Sequence, residues 1–184
     1  MAMLRAWLRR FGAADEVAAH LVLFPLATLL ALVEIPLWAG LYRRHPELAA
    51  WHAHEMLFGY ALAVVAGFLL ARIDRRALAA LVAAWLVARL APWLGSPAVA
   101  GVAALGFAWG VTGITAARFF RAARKGRNRN FVIVLLGMGA AATLFQAGAA
   151  GLIRGGEWRG ILLMLDLVSL IMLLMGGRVI PAAT

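Results

Sequence analysis

The length of the apolar runs constrains this chain more than any other feature. A transmembrane helix needs roughly 20 mostly apolar residues, and six segments of the 184-residue chain approach or exceed that length. They are residues 20–41, 53–71, 77–94, 98–119, 131–153 and 160–176. Only 14% of the residues are charged, against about 25% in a soluble domain. The sequence therefore predicts an all-α, polytopic membrane helix bundle with six transmembrane helices, forming one domain over residues 1–184 and containing no strands.

The first 19 residues differ from the apolar runs and are predicted to lie on the membrane surface. Asp15 and Glu16 precede the first apolar run, so the segment lacks the uninterrupted apolar core of a signal peptide. Apolar side chains recur at helical spacing, as in an interfacial amphipathic helix: Leu4, Trp7, Leu8 and Phe11. A frayed tail is the alternative.

Arginine and lysine are distributed unevenly between the two ends of the predicted bundle. One end carries 13 of the 18 basic residues, and basic loops face the cytoplasm in membrane proteins. We therefore expect a multi-pass membrane protein with both termini cytoplasmic. Because no aromatic residue interrupts the basic run 121–129, anionic lipid headgroups suit it better as a partner than nucleic acid.

Several classes of chemistry lack their sequence signatures. The chain has no cysteine, which excludes disulfides, zinc fingers, iron–sulfur clusters and cysteine nucleophiles. There is no Gly-x-Ser-x-Gly motif or phosphate-binding Gly-Lys-Ser/Thr run, and 137–139 lacks the third glycine of a dinucleotide loop. Enzymatic activity and catalytic residues are therefore left unassigned.

Ionisable and amide side chains inside the apolar runs are candidate functional groups, because such residues are costly in lipid. Glu34, Arg89, Gln146 and Asp166 all fall in the outer half of their predicted helices. We expect Arg89 and Asp166 to form a buried ion pair, with Glu34 as the competing partner. Such a pair could serve a site or only hold helices together.

Small residues predict close helix contacts at two places. Residues 106–110 form a Gly-x-x-x-Gly motif, and residues 148–151 form a Gly-Ala-Ala-Gly patch. Both patterns allow helix backbones to approach closely in lipid.

The segment 51–56, Trp-His-Ala-His-Glu-Met, combines potential metal ligands at helical spacing. His52 and Met56 share one helix face, and His45 could fold back from the preceding loop; imidazole and thioether ligands suit copper. Either His52 or His54 could instead give an axial bond to haem. His54 points about 200° away from His52 on a helix, so the two cannot share a metal there. The alternative is interfacial histidines with a capping Glu55.

The run 51–60, continuing through 66–70, resembles the signature of the NnrS family, and the ending 173–182 resembles that family's C-terminal segment. The resemblance implies a haem- and copper-containing bacterial inner-membrane protein of the nitric oxide response. It places a cofactor or metal role on His52, His54 and Glu55. Arg178 lies in the matching C-terminal segment without an assigned role.

Family members have about twice as many spans, so the chain resembles their N-terminal half. It departs from them at 71–76, where Ala-Arg-Ile-Asp-Arg-Arg replaces a Pro-Asn-Trp-Thr-like stretch. Either two copies pair as a homodimer and rebuild a double-length bundle, or the chain binds less metal or none.

Three functions follow from these observations. The first is a protein of the nitrosative-stress response that binds haem b, copper or both, with nitric oxide as a small ligand that arrives through lipid. The second is a transporter or proton carrier whose pathway is lined by Glu34, Arg89, Gln146 and Asp166. The third is a structural or assembly partner in the bilayer.

Overall fold

The computed structural model describes residues 16–122 and 127–183, and side chains at 16–121 and 131–177. The described chain is mostly helical. Its α-helices are α1 (His20–Leu41), α2 (Ala49–His54), α3 (Leu62–Leu69), α4 (Arg75–Leu90), α5 (Pro97–Ala122), α6 (Arg127–Ala149) and α7 (Gly156–Ala183). A 3-10 turn, Pro46–Leu48, precedes α2, and a π-helical segment, Glu55–Ala61, joins α2 to α3. Residues 46–69 therefore form one composite helix.

Five helices in the described ranges are long and apolar enough to cross a membrane: α1, the composite helix, α5, α6 and α7. Helix α4 has 16 residues, or about 24 Å at 1.5 Å per residue, which is shorter than a hydrocarbon core of about 30 Å. The predicted helix bundle is confirmed, whereas the count of six spans is not, since five helices in the described ranges have the length and hydropathy that a span requires.

A pair of two-residue strands closes one end of the bundle. Strand β1 (Glu16–Val17) pairs antiparallel with β2 (Ile73–Asp74), so the expectation of no strands is wrong at this point. Asp74 then caps α4, since its carboxylate accepts hydrogen bonds from the backbone N–H groups of Arg76 and Ala77. Of the surface segment predicted at 1–19, residues 1–15 lie outside the described residues.

The helices pack in an antiparallel series in which most neighbours in sequence are also neighbours in space. Helix α4 packs on α5, α5 on α6, and α6 on α7, while α1 packs on the composite helix. Apolar side chains fill the interior, including Leu62, Phe107, Phe131, Met138 and Met164. Large apolar side chains also cover the outside, as expected for a surface in contact with lipid tails: Leu21, Leu32, Val102, Ile133 and Leu173.

The close helix approaches involve one glycine from each of the two predicted motifs. A Cβ atom at Gly148 would lie 2.2 Å from the backbone nitrogen of Glu157, and one at Gly110 would lie 2.6 Å from Leu81. Gly106 has open space around it, and Gly151 is a turn residue with φ +74°. The approaches therefore join α6 to α7 and α5 to α4, and they fix the order of the helices around the site.

Candidate functional site at one end of the bundle

A cavity of about 720 Å³ opens at the end of the bundle opposite the strand pair. Six helical segments line this cavity, each with residues from its half nearest this end: α1, the composite helix, α4, α5, α6 and α7. The polar lining residues include Glu34, His54, Glu55, Arg89, Gln146 and Glu157. The structure therefore brings Glu34, Arg89 and Gln146, from three different helices, to one cavity with His54 and Glu55. Glu157 also lines it, and no sequence pattern had indicated that residue.

A buried ion pair between Arg89 and Glu55 lies in the wall of this cavity. The Nε atom of Arg89 is 3.2 Å from Oε2 of Glu55, and the two side chains are 11% and 7% exposed. The N–H is not aligned for a hydrogen bond, so the contact is mainly electrostatic. The predicted pair of Arg89 with Asp166 is wrong, because the composite helix brings a carboxylate closer to the guanidinium than α7 does.

The π-helical segment creates the space that Arg89 occupies. A Cβ atom at Gly59 would lie 2.2 Å from Nη2 of Arg89, so only glycine leaves room for the guanidinium. Trp85 contacts both Gly59 and Arg89. Its indole Nε1 donates a hydrogen bond to the Gly59 carbonyl oxygen at 3.0 Å, and its ring centroid lies 4.1 Å from the guanidinium carbon of Arg89. Isolated π turns in helices occur frequently at functional sites.

His54 is held in a defined orientation by contacts on every side. Its Nδ1 atom lies 3.0 Å from Oε1 of Glu55, and its ring stacks on Phe145 with centroids 4.4 Å apart. The amide Nε2 of Gln146 lies 3.3 Å from the His54 Nε2. Because an amide NH₂ only donates and a carboxylate only accepts, Nδ1 carries the hydrogen, and the Nε2 lone pair accepts from the Gln146 amide beside the cavity.

This arrangement matches the way in which proteins prepare a histidine to bind a metal. Histidine ligands almost always donate their other ring N–H to a carboxylate, carbonyl or water, which fixes the tautomer and raises the basicity of the ligating nitrogen. In this site Glu55 is that carboxylate, and both of its oxygens are engaged, by His54 and by Arg89. The geometry places Glu55 behind the ligand and not among the ligands.

Two other predicted metal ligands, His52 and His45, each contact a partner outside the predicted ligand set. His52 stacks parallel on Trp38 of α1, with centroids 4.6 Å apart, on the side of the helix away from His54. Its Nδ1 is buried without a hydrogen-bond partner. His45 contacts Glu47 at 2.9 Å in the exposed loop. Within the described ranges, no three histidine, aspartate or glutamate side chains form a group that could hold a metal ion. The copper site of His45, His52 and Met56 stays a prediction.

The remaining predicted residues fall in three places. Glu34 is buried, lines the cavity and interacts electrostatically with Glu55 and Arg89, but one of its carboxylate oxygens has no hydrogen-bond partner. Gln146 also lines the cavity. Asp166 does not, and its side chain points out of the bundle. The Arg178 side chain lies outside the described side chains.

Sequence reasoning missed Trp85, Gly59 and Phe145, which hold the polar residues in place. A signal existed for Trp85, because it precedes Arg89 by four residues and therefore lies on the same helix face. The roles of Gly59 and Phe145 depend on contacts between helices distant in sequence, and no local pattern indicates such contacts.

The fold and the site together define a multi-pass membrane helix bundle with a polar, histidine-bearing cavity at one end. The family model described as NnrS protein matches residues 17–184. The chain therefore belongs to the NnrS family, as its motifs predicted. No curated protein and no solved structure matches the chain.

Replacing Arg89 tests the ion pair. Arg89→Met should lower the free energy of unfolding by about 3–5 kcal/mol, because it leaves the buried Glu55 carboxylate unpaired. Combining it with Glu55→Leu should recover most of the loss. Equilibrium unfolding in mixed detergent micelles measures both effects.

The exposed Arg154→Met is the matched control and should change stability by less than about 0.5 kcal/mol. A thermodynamic coupling of Arg89 to Asp166 instead of Glu55 in double-mutant cycles would contradict this assignment.

Proposed function

We propose that this protein binds haem at the cavity through His54 and acts in the bacterial response to nitric oxide. The observation that carries the proposal is the His54 imidazole, which lines a cavity of about 720 Å³ with Nδ1 held by Glu55 and Nε2 contacted by the amide of Gln146, another lining residue. Ligand pockets in proteins generally measure about 300–1,000 Å³. Membership of the NnrS family supports a role in nitrosative stress and denitrification.

The number of available ligands favours haem over copper as the cofactor. Haem iron can be held by a single protein ligand, commonly a histidine. Copper and zinc sites draw several protein side chains to one ion. His54 is the histidine that lines the cavity, and the cavity wall adds the apolar surfaces of Trp51, Trp93 and Phe145. These residues fit a large planar group with one axial ligand better than a copper ion.

Each residue around His54 has a definable role in such a site. When bound, haem would supply an iron at which nitric oxide binds or reacts. Glu55 keeps the imidazole in the tautomer whose Nε2 carries no hydrogen, and Arg89 holds Glu55. For iron to bind at Nε2, the Gln146 amide would have to give up its contact with that atom. Phe58 and Phe145 fix the plane of the ring, with centroids 5.2 and 4.4 Å from that of His54. The Gln146 amide is a hydrogen-bond donor on the cavity side.

Cofactor analysis of the purified protein tests this proposal. Protein produced with haem and copper available should contain about one haem per chain, measured by elemental iron and by absorption spectroscopy. His54→Ala should abolish binding, and Glu55→Gln should weaken it by about 10–100-fold, as expected for loss of the group that orients a ligand.

His45→Ala is the matched control, since this histidine lies in the exposed loop with Glu47, and it should leave haem content unchanged. Equal haem content in the wild type and His54→Ala would contradict the proposal. Absence of both iron and copper would also contradict it, and would favour the carrier hypothesis, for which the buried Glu34 is the best-placed residue.

We also propose that α4 is the sixth crossing, so that both termini lie in the cytoplasm of the inner membrane. The strand pair and the Asp74 cap lie at the start of α4, and Arg89 lies at the cavity end. Helix α4 thus extends between the two ends of the bundle. Its short length is compatible with crossing, because Arg75 and Arg76 at one end and Arg89 near the other can reach toward the headgroups or a polar cavity.

Cysteine labelling tests this topology without background, because the chain has no native cysteine. A membrane-impermeant maleimide added outside spheroplasts should label Arg44→Cys and Ser96→Cys. It should label Arg121→Cys only after permeabilisation. Labelling of Arg121→Cys from outside, with Ser96→Cys labelled only after permeabilisation, would contradict a crossing by α4.

A further inference from the structure

Asp166 lies where a carboxyl group is unfavourable if the bundle consists of one chain, namely near the middle of the membrane and facing outward. The apolar span of α7 is Gly156–Gly177, 22 residues long, and Asp166 is the eleventh of them, about 15 Å from the first residue. It therefore lies near the middle of a hydrocarbon core about 30 Å thick. Its side chain is exposed on the outside of the bundle.

The outward direction of Asp166 follows from the helical arrangement of α7. Ile161, Met164 and Ile171 form the buried face of the helix, and Asp166 lies nearly opposite them at 100° per residue. In the described part of the chain, no other exposed ionisable side chain lies so far from both ends of an apolar span. A lone chain would present this carboxyl group to lipid tails, at a cost of about 2.5–3.5 kcal/mol or more.

A stripe of residues around Asp166 has the spacing of a helix–helix contact. Leu162, Asp166, Ser169 and Leu173 follow one another at intervals of four, three and four residues, and all are exposed. Such spacing is the repeat by which two helices pack along a common seam. Ser169, whose hydroxyl donates to the Leu165 carbonyl oxygen at 2.8 Å, adds a second polar group to the stripe.

We propose that this face of α7 is the contact between two copies of the chain. Copies inserted with the same topology pair about a two-fold axis along the membrane normal, so each stripe meets its own copy in parallel. The stripe is complementary to itself: the Ser169 hydroxyl of the other copy, one turn along the seam, turns from its own Leu165 carbonyl oxygen and donates to the carboxyl group of Asp166. The pair removes both carboxyl groups from lipid, and interhelical hydrogen bonds of this kind stabilise association.

The nearest basic residue on the same face, Arg159, stands two turns away toward the end of the helix. A separation of about 10 Å along the axis is too long for a direct ion pair. Neutralisation within the same helix therefore does not account for Asp166, whereas pairing between copies does. This inference rests on α7 alone and is independent of whether the cavity binds haem.

Cross-linking through introduced cysteines tests the contact on the full chain. Leu162→Cys and Leu173→Cys, in protein reconstituted into phospholipid vesicles and oxidised with iodine, should form disulfide-linked dimers. The matched control is Leu32→Cys, which is 67% exposed on α1 and lies at a similar depth. We expect at least a tenfold higher dimer yield for the two α7 variants.

Changes at Asp166 separate a hydrogen-bonding role from a merely structural one. In the Leu162→Cys background, Asp166→Leu should reduce the dimer yield roughly tenfold, while Asp166→Asn, which keeps an acceptor and adds donors, should retain it. Thermal midpoints should show that both variants fold. Equal cross-linking of Leu32→Cys and Leu162→Cys would overturn the proposal, and so would cross-linking of Leu162→Cys in cells to a different protein instead of a second copy.

Discussion

The ion pair between Arg89 and Glu55 organises the rest of the site. Both groups are almost fully buried, and such a pair is stable only where geometry and additional polar contacts offset its loss of water. One such contact comes from Trp85, whose carbonyl oxygen accepts a hydrogen bond from Arg89 Nη1 at 2.7 Å. Gly59, which has no side chain, leaves the room that the guanidinium occupies. The π-helical segment, the tryptophan and the glycine therefore have one common consequence, which is a guanidinium held beside a carboxylate.

The pair in turn determines what His54 can do. With one oxygen of Glu55 facing Arg89, the other is free to accept from the imidazole, which leaves a nitrogen lone pair at the cavity. The same physical requirement, that no polar group remain unpaired in hydrocarbon, is met differently on the outside of the bundle. There Asp166 has no intramolecular partner in the described residues, and we infer that a second copy of the chain supplies its hydrogen-bond partner.

The helical class, the five helices long and apolar enough to cross a membrane, and the family followed from the sequence, because long apolar runs and contiguous motifs are local signals. The division of His52 and His54 between opposite faces also followed, from helical periodicity alone. The partner of Arg89 did not, because depth along a helix does not specify which face of a neighbouring helix is nearest. Nor did the outward direction of Asp166, since α7 is apolar on all sides and its sequence does not mark which face is buried.

Nitrogen-15 NMR of the imidazole side chains, on cofactor-free protein in lipid, tests the central claim most directly. With four histidines in the chain, the His54 signals can be assigned by comparison with His54→Gln. The account predicts a hydrogen on Nδ1 and a bare Nε2, and predicts that Glu55→Gln shifts the Nδ1 resonance. A hydrogen on Nε2, or an Nδ1 signal unaffected by Glu55→Gln, would contradict it.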